Sequence, residues 1–243
     1  MKIIIDGREI EAQPESTILE AAQTAGVFIP TLCYHPAFGG QGHCRMCMVE
    51  VEPPLRLVAA CTHPVFAGMK VRTTSPTLEK IRQTLVMLLY RRAPASELMG
   101  RLKADYLAQD ELLVKDPMGS CILCRLCVNA CQSMGLSAIS ASLRGTQKRV
   151  TTPYDEPSPD CIGCATCAHI CPTGAIPVRD ENDRRFIWNK SFELVHCPLC
   201  GEAFATREQL QYAAVKSQDL AESRLCDRCR RLEVVRHWDE LPL

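Results

Sequence analysis

Apolar and polar positions alternate over residues 2–11 on either side of Asp6-Gly7, which predicts a short hairpin. The period then changes. Thr17 and Glu20 stand around Ile18-Leu-Glu-Ala-Ala as a capping box that opens a helix, and Gly26 takes the place just past its end. Alternation returns in Arg45–Glu52, with further strands expected at Leu55–Ala60 and Lys70–Thr73. Pro76–Arg92 and Ser96–Gln109 have the spacing of amphipathic helices. Within the first, Leu85-Val-Met-Leu-Leu-Tyr90 is the longest apolar run, far too short to cross a bilayer. It reads as a face buried beneath its neighbours in preference to a partner-docking surface. Farther on, Ser142–Val150 predicts strand-turn-strand, and Pro153, Pro157 and Pro159 mark a loop. Arg179–Arg185 reads as a charged, turn-prone linker, and Glu208–Ser223 can hold a helix.

Composition changes this picture at one point. Of 243 residues, 16 are Cys and only 5% are aromatic, so bound metal is expected to replace part of the hydrophobic core. The length allows one large domain or two to four small ones. Formal net charge is zero before metals are counted, and clustered thiolates make the loaded chain acidic, which argues against a nucleic-acid binder. The opening Met1-Lys-Ile-Ile-Ile-Asp-Gly-Arg lacks the apolar core of a signal peptide. With its cysteines in ligand spacings, the chain is expected to be cytoplasmic, without membrane insertion, holding metals in place of disulfides.

The cysteines fall into four sets of four. Cys121-x2-Cys124-x2-Cys127-x3-Cys131 and Cys161-x2-Cys164-x2-Cys167-x3-Cys171-Pro172 each have the bacterial-ferredoxin form, which holds [4Fe–4S] cubanes. In that form the fourth Cys of each run serves the cube built by the other. The expected sets are therefore Cys121, Cys124, Cys127 and Cys171 on one cubane, and Cys161, Cys164, Cys167 and Cys131 on the second. Zinc sites would need only separated Cys pairs, without the third Cys. Earlier, Cys33, Cys44, Cys47 and Cys61 form C-x10-C-x2-C-x13-C, unlike the plant-type C-x4-C-x2-C, and are assigned a [2Fe–2S] cluster. Gly39, Gly40 and Gly42 would let backbone N–H groups approach its sulfurs. Last, Cys197-Pro-Leu-Cys200-Gly201 and Cys226-Asp-Arg-Cys229 read as a zinc-ribbon-like module, with a rubredoxin-type iron or a further Fe–S cluster as alternatives on the same thiolates.

The [2Fe–2S] set after a β-grasp opening resembles the N-terminus of the large iron–sulfur subunit of bacterial NADH dehydrogenase (complex I). It is similar also to the small diaphorase subunit of NAD-reducing hydrogenases. The block Cys121–Cys171, with Arg144-Gly145 and Cys171-Pro-Thr-Gly-Ala-Ile176, resembles the same family's cubane segment, so the likeness covers about residues 1–180. The family usually places a cluster with one His and three Cys ligands between the two blocks. Here residues 62–120 contain no Cys and only His63, so that cluster is missing.

The expected fold is α+β: a β-grasp [2Fe–2S] domain at 1–75, a helical connector at 76–112, a double [4Fe–4S] ferredoxin domain with an insertion at 113–180, and the four-cysteine module at 190–235. No dinucleotide fingerprint, P-loop or nucleophile arrangement is present, so no substrate site is expected on this chain. The expected function is electron transfer within a multi-subunit oxidoreductase. The resemblance implies its partners: a flavin- and NAD(H)-binding subunit and a catalytic redox subunit of hydrogenase, formate dehydrogenase or aromatic acyl-CoA reductase type. The rival is an iron–sulfur sensor or scaffold whose ribbon binds nucleic acid or protein; it would call for an incomplete ligand set and a basic face.

Overall fold

The computed structural model describes residues 1–107, 116–216 and 225–239, among them all sixteen cysteines. By its internal contacts the chain forms two compact units. One comprises Met1–Asn129 with Cys171–Ala175, and the other Ala130–Ile170 with Ile176–Leu243.

The first unit opens with the expected hairpin, β1 (Lys2–Ile5) and β2 (Arg8–Glu11), turning through Asp6 and Gly7, both at positive φ. Helix α1 (Ile18–Thr24) follows with its capping box in place: the Glu20 N–H donates to Thr17 Oγ1, and the Thr17 N–H donates to Glu20 Oε2 at 2.8 Å. Gly26 stands past the helix end at φ +69°, the left-handed position that favours glycine. Two short strands, β3 (Tyr34–His35) and β4 (Gly39–Gly40), pair with each other. The main sheet is completed by β5 (Met48–Glu52), β6 (Arg56–Ala59) and β7 (Lys70–Arg72) in the order β2-β1-β7-β5-β6, with β1 and β7 parallel. β5 starts three residues later than the alternation suggested, because Arg45 sits at φ +60° and turns the chain before Met48. Ile3, Ile5, Val49, Val51 and Val71 from the sheet pack with Ile18, Leu19, Ala21 and Ala22 of α1 into one apolar core. That core also takes in Cys47 and Cys61.

Helices α2 (Pro76–Arg92) and α3 (Glu97–Tyr106) pack against each other, each capped by the serine before it. The second helix, expected over Ser96–Gln109, ends at Tyr106, and residues 108 and 109 lie outside the described residues. Arg82 on α2 is buried. Its guanidinium donates to the carbonyls of Thr73 at 2.8 Å, Met48 at 3.1 Å and Met46 at 3.4 Å, tying α2 to the backbone on both sides of Cys47. The short helix α4 (Leu126–Ser133) carries both Cys127 and Cys131.

In the second unit β8 (Ser140–Ser142) and β9 (Arg149–Thr151) pair around a one-turn 3-10 helix, as the strand-turn-strand reading expected. Helix α5 (Thr166–His169) follows Cys164. The segment read as a charged linker is ordered differently. β10 (Arg179–Glu181) and β11 (Arg184–Ile187) form a hairpin that continues into β12 (Lys190–His196) and β13 (Ala203–Thr206), a four-stranded antiparallel sheet. The reason is local. Asn182 and Asp183 adopt the two successive positive φ values (52° and 58°) that a tight hairpin turn demands. The charges of the supposed linker then pair across the strands, with Arg185 donating to both Asp180 carboxylate oxygens at 2.8–2.9 Å. Helix α6 (Arg207–Lys216) lies against β12 and β13, and α7 (Asp227–Asp239) begins beside the last cysteine pair. Residues 217–223 of the helix expected at Glu208–Ser223 lie outside the described residues. Among the described residues, no helix is long and apolar enough to cross a membrane.

Candidate metal centres

The structure draws Cys197, Cys200, Cys226 and Cys229 into one compact group and pairs Cys33 with Cys44 and Cys47 with Cys61. In the first set all four are buried. Cys33 and Cys44 form one close pair, with Sγ atoms 3.3 Å apart, and the Cys44 N–H also donates to Cys33 Sγ at 3.3 Å. Cys47 and Cys61 form a second pair bonded thiol to thiol. Within each pair one thiol is held down and the other pushed up. Cys33 is lowered by the Cys44 thiol and further by the N–H groups of Cys44, His43 and Gln41. Cys61 is lowered by the Cys47 thiol, with help from the Gly42 N–H. The glycine-rich turn is what allows these N–H groups so close. A Cβ on Gly40 would lie 2.0 Å from the Cys61 carbonyl oxygen and 2.5 Å from its Cβ, so only glycine fits.

The two ferredoxin runs repeat one backbone trick. Leu123 and Arg125 in the first run have φ +55° and +64°; Gly163 and Ala165, at the equivalent places in the second, have +69° and +59°. Left-handed residues at alternate positions turn successive N–H groups inward, the concave arrangement that holds anionic groups. The N–H of Leu123 donates to Cys121 Sγ at 3.4 Å. The fourth cysteine of each run also accepts a backbone donor: Cys131 from Ala138 at 3.2 Å, and Cys171 from Ala175 at 3.3 Å. Cys121, Cys124, Cys127 and Cys171 lie in the first unit, and Cys131, Cys161, Cys164 and Cys167 in the second. The electrostatics follow the same division. Burial pushes the Cys124 thiol up to about 11, with Cys171 and Cys121 as the nearest like charges. Burial likewise raises Cys167 to about 11, and there the neighbours are Cys164, Cys161 and Cys131. Cys33 contributes to the Cys124 shift too.

The last set is built differently. The sulfurs of Cys197, Cys200, Cys226 and Cys229 all lie within 4.8 Å of one another, with Cys200 and Cys226 at 3.7 Å. Among the described residues, no other group of three or more Cys, His, Asp or Glu is so compact. Gly201, at φ +71°, closes a tight turn in which its N–H donates to the Cys197 carbonyl at 2.8 Å. Burial acts to raise the Cys197 thiol, but the N–H groups of Cys226, Cys200 and Leu199 outweigh it and bring it down to about 6. Four thiolates bound tetrahedrally at about 2.3 Å from one metal stand roughly 3.8 Å apart. The donor set fits a single ion.

Residues 1–76 match the family described as "2Fe-2S iron-sulfur cluster binding domain", and residues 120–175 the family described as "4Fe-4S dicluster domain". A solved chain of the NAD+-reducing [NiFe]-hydrogenase in the H2-reduced state superposes with a TM-score of 0.64 at 31% identity, covering 72% of this chain and 85% of that one. The chain belongs to the family of NADH dehydrogenase-type iron–sulfur subunits. Its relatives include the NADPH-Fe(3+) oxidoreductase subunit alpha of Geobacter sulfurreducens, 31% identical over 237 residues. Another is the mitochondrial NADH-ubiquinone oxidoreductase 78 kDa subunit of Candida albicans, 29% identical over 216 residues. These matches take in 87% and 77% of this chain but only 28% and 30% of the relatives, so the chain spans under a third of their length. A [2Fe–2S] domain, a [4Fe–4S] domain and electron transfer are thus family properties of this iron–sulfur subunit.

Sequence reasoning missed the side chains that brace these centres. Arg82, read only as part of an amphipathic helix, clamps the backbone around Cys47. Trp188 and Lys190, beyond the supposed linker, reach back to the second ferredoxin run. A tryptophan and a lysine next to a two-residue turn gave the one available signal.

Proposed function

We propose that this subunit is an electron relay holding one [2Fe–2S] cluster, two [4Fe–4S] clusters and one structural zinc ion. Cys33, Cys44, Cys47 and Cys61 would bind the [2Fe–2S], with one close pair for each iron. Cys121, Cys124, Cys127 and Cys171 would bind one cubane, and Cys131, Cys161, Cys164 and Cys167 the other. Cys197, Cys200, Cys226 and Cys229 would bind zinc. When bound, the clusters supply one-electron chemistry. The chain's own groups shield the buried thiols of the first set from water, donate N–H bonds to sulfurs in each run and fix their spacing. The observation that carries this reading is the left-handed backbone repeated in both ferredoxin runs, with N–H donors on Cys33, Cys121, Cys131 and Cys171, beside a single compact four-sulfur set.

The partners follow by analogy with relatives named for NADH, NADPH and hydrogenase chemistry. They are a flavin- and NAD(H)-binding subunit at one end and a catalytic redox subunit of hydrogenase, formate dehydrogenase or aromatic acyl-CoA reductase type at the other. Sixteen free thiols and no disulfide among the described residues fit a cytoplasmic setting. Anaerobic iron, zinc and sulfide analysis with low-temperature EPR tests the proposal. About ten Fe and about one Zn per chain are expected. About fourteen Fe without Zn would replace the zinc by a fourth cluster, and fewer than about six after reconstitution would overturn the relay.

A further inference from the structure

Trp188 occupies the two-residue turn between β11 and β12, where it and Asn189 have φ +53° and +57°. Such turns ordinarily use Asn-Gly or Asp-Gly, and a bulky residue is held in the left-handed region only at a cost in backbone energy. That cost aims the indole. Its Nε1–H donates to Cys167 Sγ at 3.3 Å, and the ring packs in the cluster formed by Ala165, Ile187 and Phe192 beside Cys161 and Cys167.

The same hairpin grips the run on which Cys167 stands. Lys190 Nζ donates to the carbonyls of Cys161 at 2.8 Å and Ser158 at 3.0 Å. Arg185, held by Asp180, donates to the Gly163 carbonyl at 3.2 Å. Phe192 fills the space where a Cβ on Gly163 would come within 2.6 Å of its ring. The donor is therefore fixed relative to its sulfur on a braced template.

We infer that Trp188 is a tuning residue: its indole N–H raises the reduction potential of the centre held by Cys131, Cys161, Cys164 and Cys167. The inference rests on the relay reading above. One electron enters that centre from an external reductant and no bond is made or broken, because the proton stays on the indole nitrogen. The added charge spreads onto the ligand sulfurs, so a hydrogen bond to Cys167 Sγ strengthens on reduction and favours the reduced state.

The test is an EPR-monitored redox titration of the loaded full-length chain, with Trp188→Phe and with Trp188 replaced by 3-benzothienylalanine, which keeps the ring shape and lacks the N–H. Both should lower the potential of one cubane only. The expected change is roughly three- to tenfold in its reduction equilibrium, about 30–60 mV at 59 mV per decade. The other two centres and the iron content should not move. A solvent-exchangeable proton coupling to that cubane should vanish in both variants. If Trp188→Phe loads poorly, the isosteric replacement decides. An unchanged potential in the isostere, or an equal shift in every centre, overturns the inference while the relay stands. A wild-type chain without a second cubane overturns the relay, and the inference with it.

Discussion

The N-terminal domain and the four-cysteine module achieve cohesion by opposite means. Around β1, β5, β7 and α1, seventeen buried residues form one continuous core, of which only Cys47 and Cys61 are proposed ligands. Around Cys197, the buried cluster consists of Cys197, Cys226 and Cys229 themselves, with Phe204 and Leu225 half-covered beside them. Apolar burial at about 25 cal/mol per Å² sustains the first without any metal. Among the described residues, the cluster at the second consists of little besides the thiols converging on one point. One chain thus contains a domain that shapes a metal site and a module that a metal site shapes.

The sharpest way to break this contrast is to remove a ligand of the proposed zinc. Structural zinc in small modules contributes about 10–16 kcal/mol of binding at pH 7, nearly all of it folding energy. Cys226→Ser should abolish the proposed zinc binding and open the chain around Cys197–Cys200 and Cys226–Cys229 to limited proteolysis, while the N-terminal domain keeps its far-UV dichroism and its protection. Equal protection of both regions in the variant would refute the distinction. In the other direction, Leu19→Ala empties a fully buried position. It should cost about 2–5 kcal/mol in urea unfolding of the N-terminal domain and leave zinc content unchanged. A smaller effect is expected at the start of α1. Thr17→Ala removes one half of the capping box and should cost about 1 kcal/mol, seen as a shift in the urea midpoint with no change in slope.

The smallest effect concerns pH. Arg185 beside Asp180 holds that carboxyl below its ordinary value, first through their hydrogen bonds. A carboxylate depressed in the folded state contributes stability above its unfolded pKa, near 4, which is lost as pH falls through the folded value. The pair is partly exposed, so Asp180→Asn should cost well under about 1 kcal/mol at pH 7. The gap between variant and wild type should hold down to pH 5 and close below about 4. A gap that widens on acidification would reverse the assignment.

Much of this was legible in the order of residues, because ligand spacing and capping are local. The C-x2-C-x2-C-x3-C runs, the Thr17–Glu20 box and the Asp6-Gly7 turn each act over a few residues; the box and the turn stand where they were expected, and the runs lie within the match to the 4Fe-4S dicluster family. What stayed hidden depends on pairing at a distance. Arg179–Arg185 has the composition of a linker, and becomes strand only because Arg179–Glu181 finds Arg184–Phe186 across a turn of two left-handed residues. Arg82 looked like any polar position on an amphipathic helix, because its three carbonyl partners lie 9 to 36 residues away. The compactness of the last four sulfurs was equally invisible, since C-x2-C pairs give the same spacing around one ion or a cube.

The division of the chain also bears on how it is made. The first unit is interrupted: its main body ends at Asn129, and its last piece, Cys171–Ala175, is synthesised only after Ala130–Ile170. A ribosome releases residues in order, at roughly 5–20 per second. The N-terminal [2Fe–2S] domain is complete once residue 76 emerges, whereas the thiol set that includes Cys171 must wait until a whole stretch of the other unit has been made. On a nascent chain the Cys33, Cys44, Cys47 and Cys61 set would therefore be available first, and the two sets proposed for cubanes would be completed almost together, by Cys167 and Cys171.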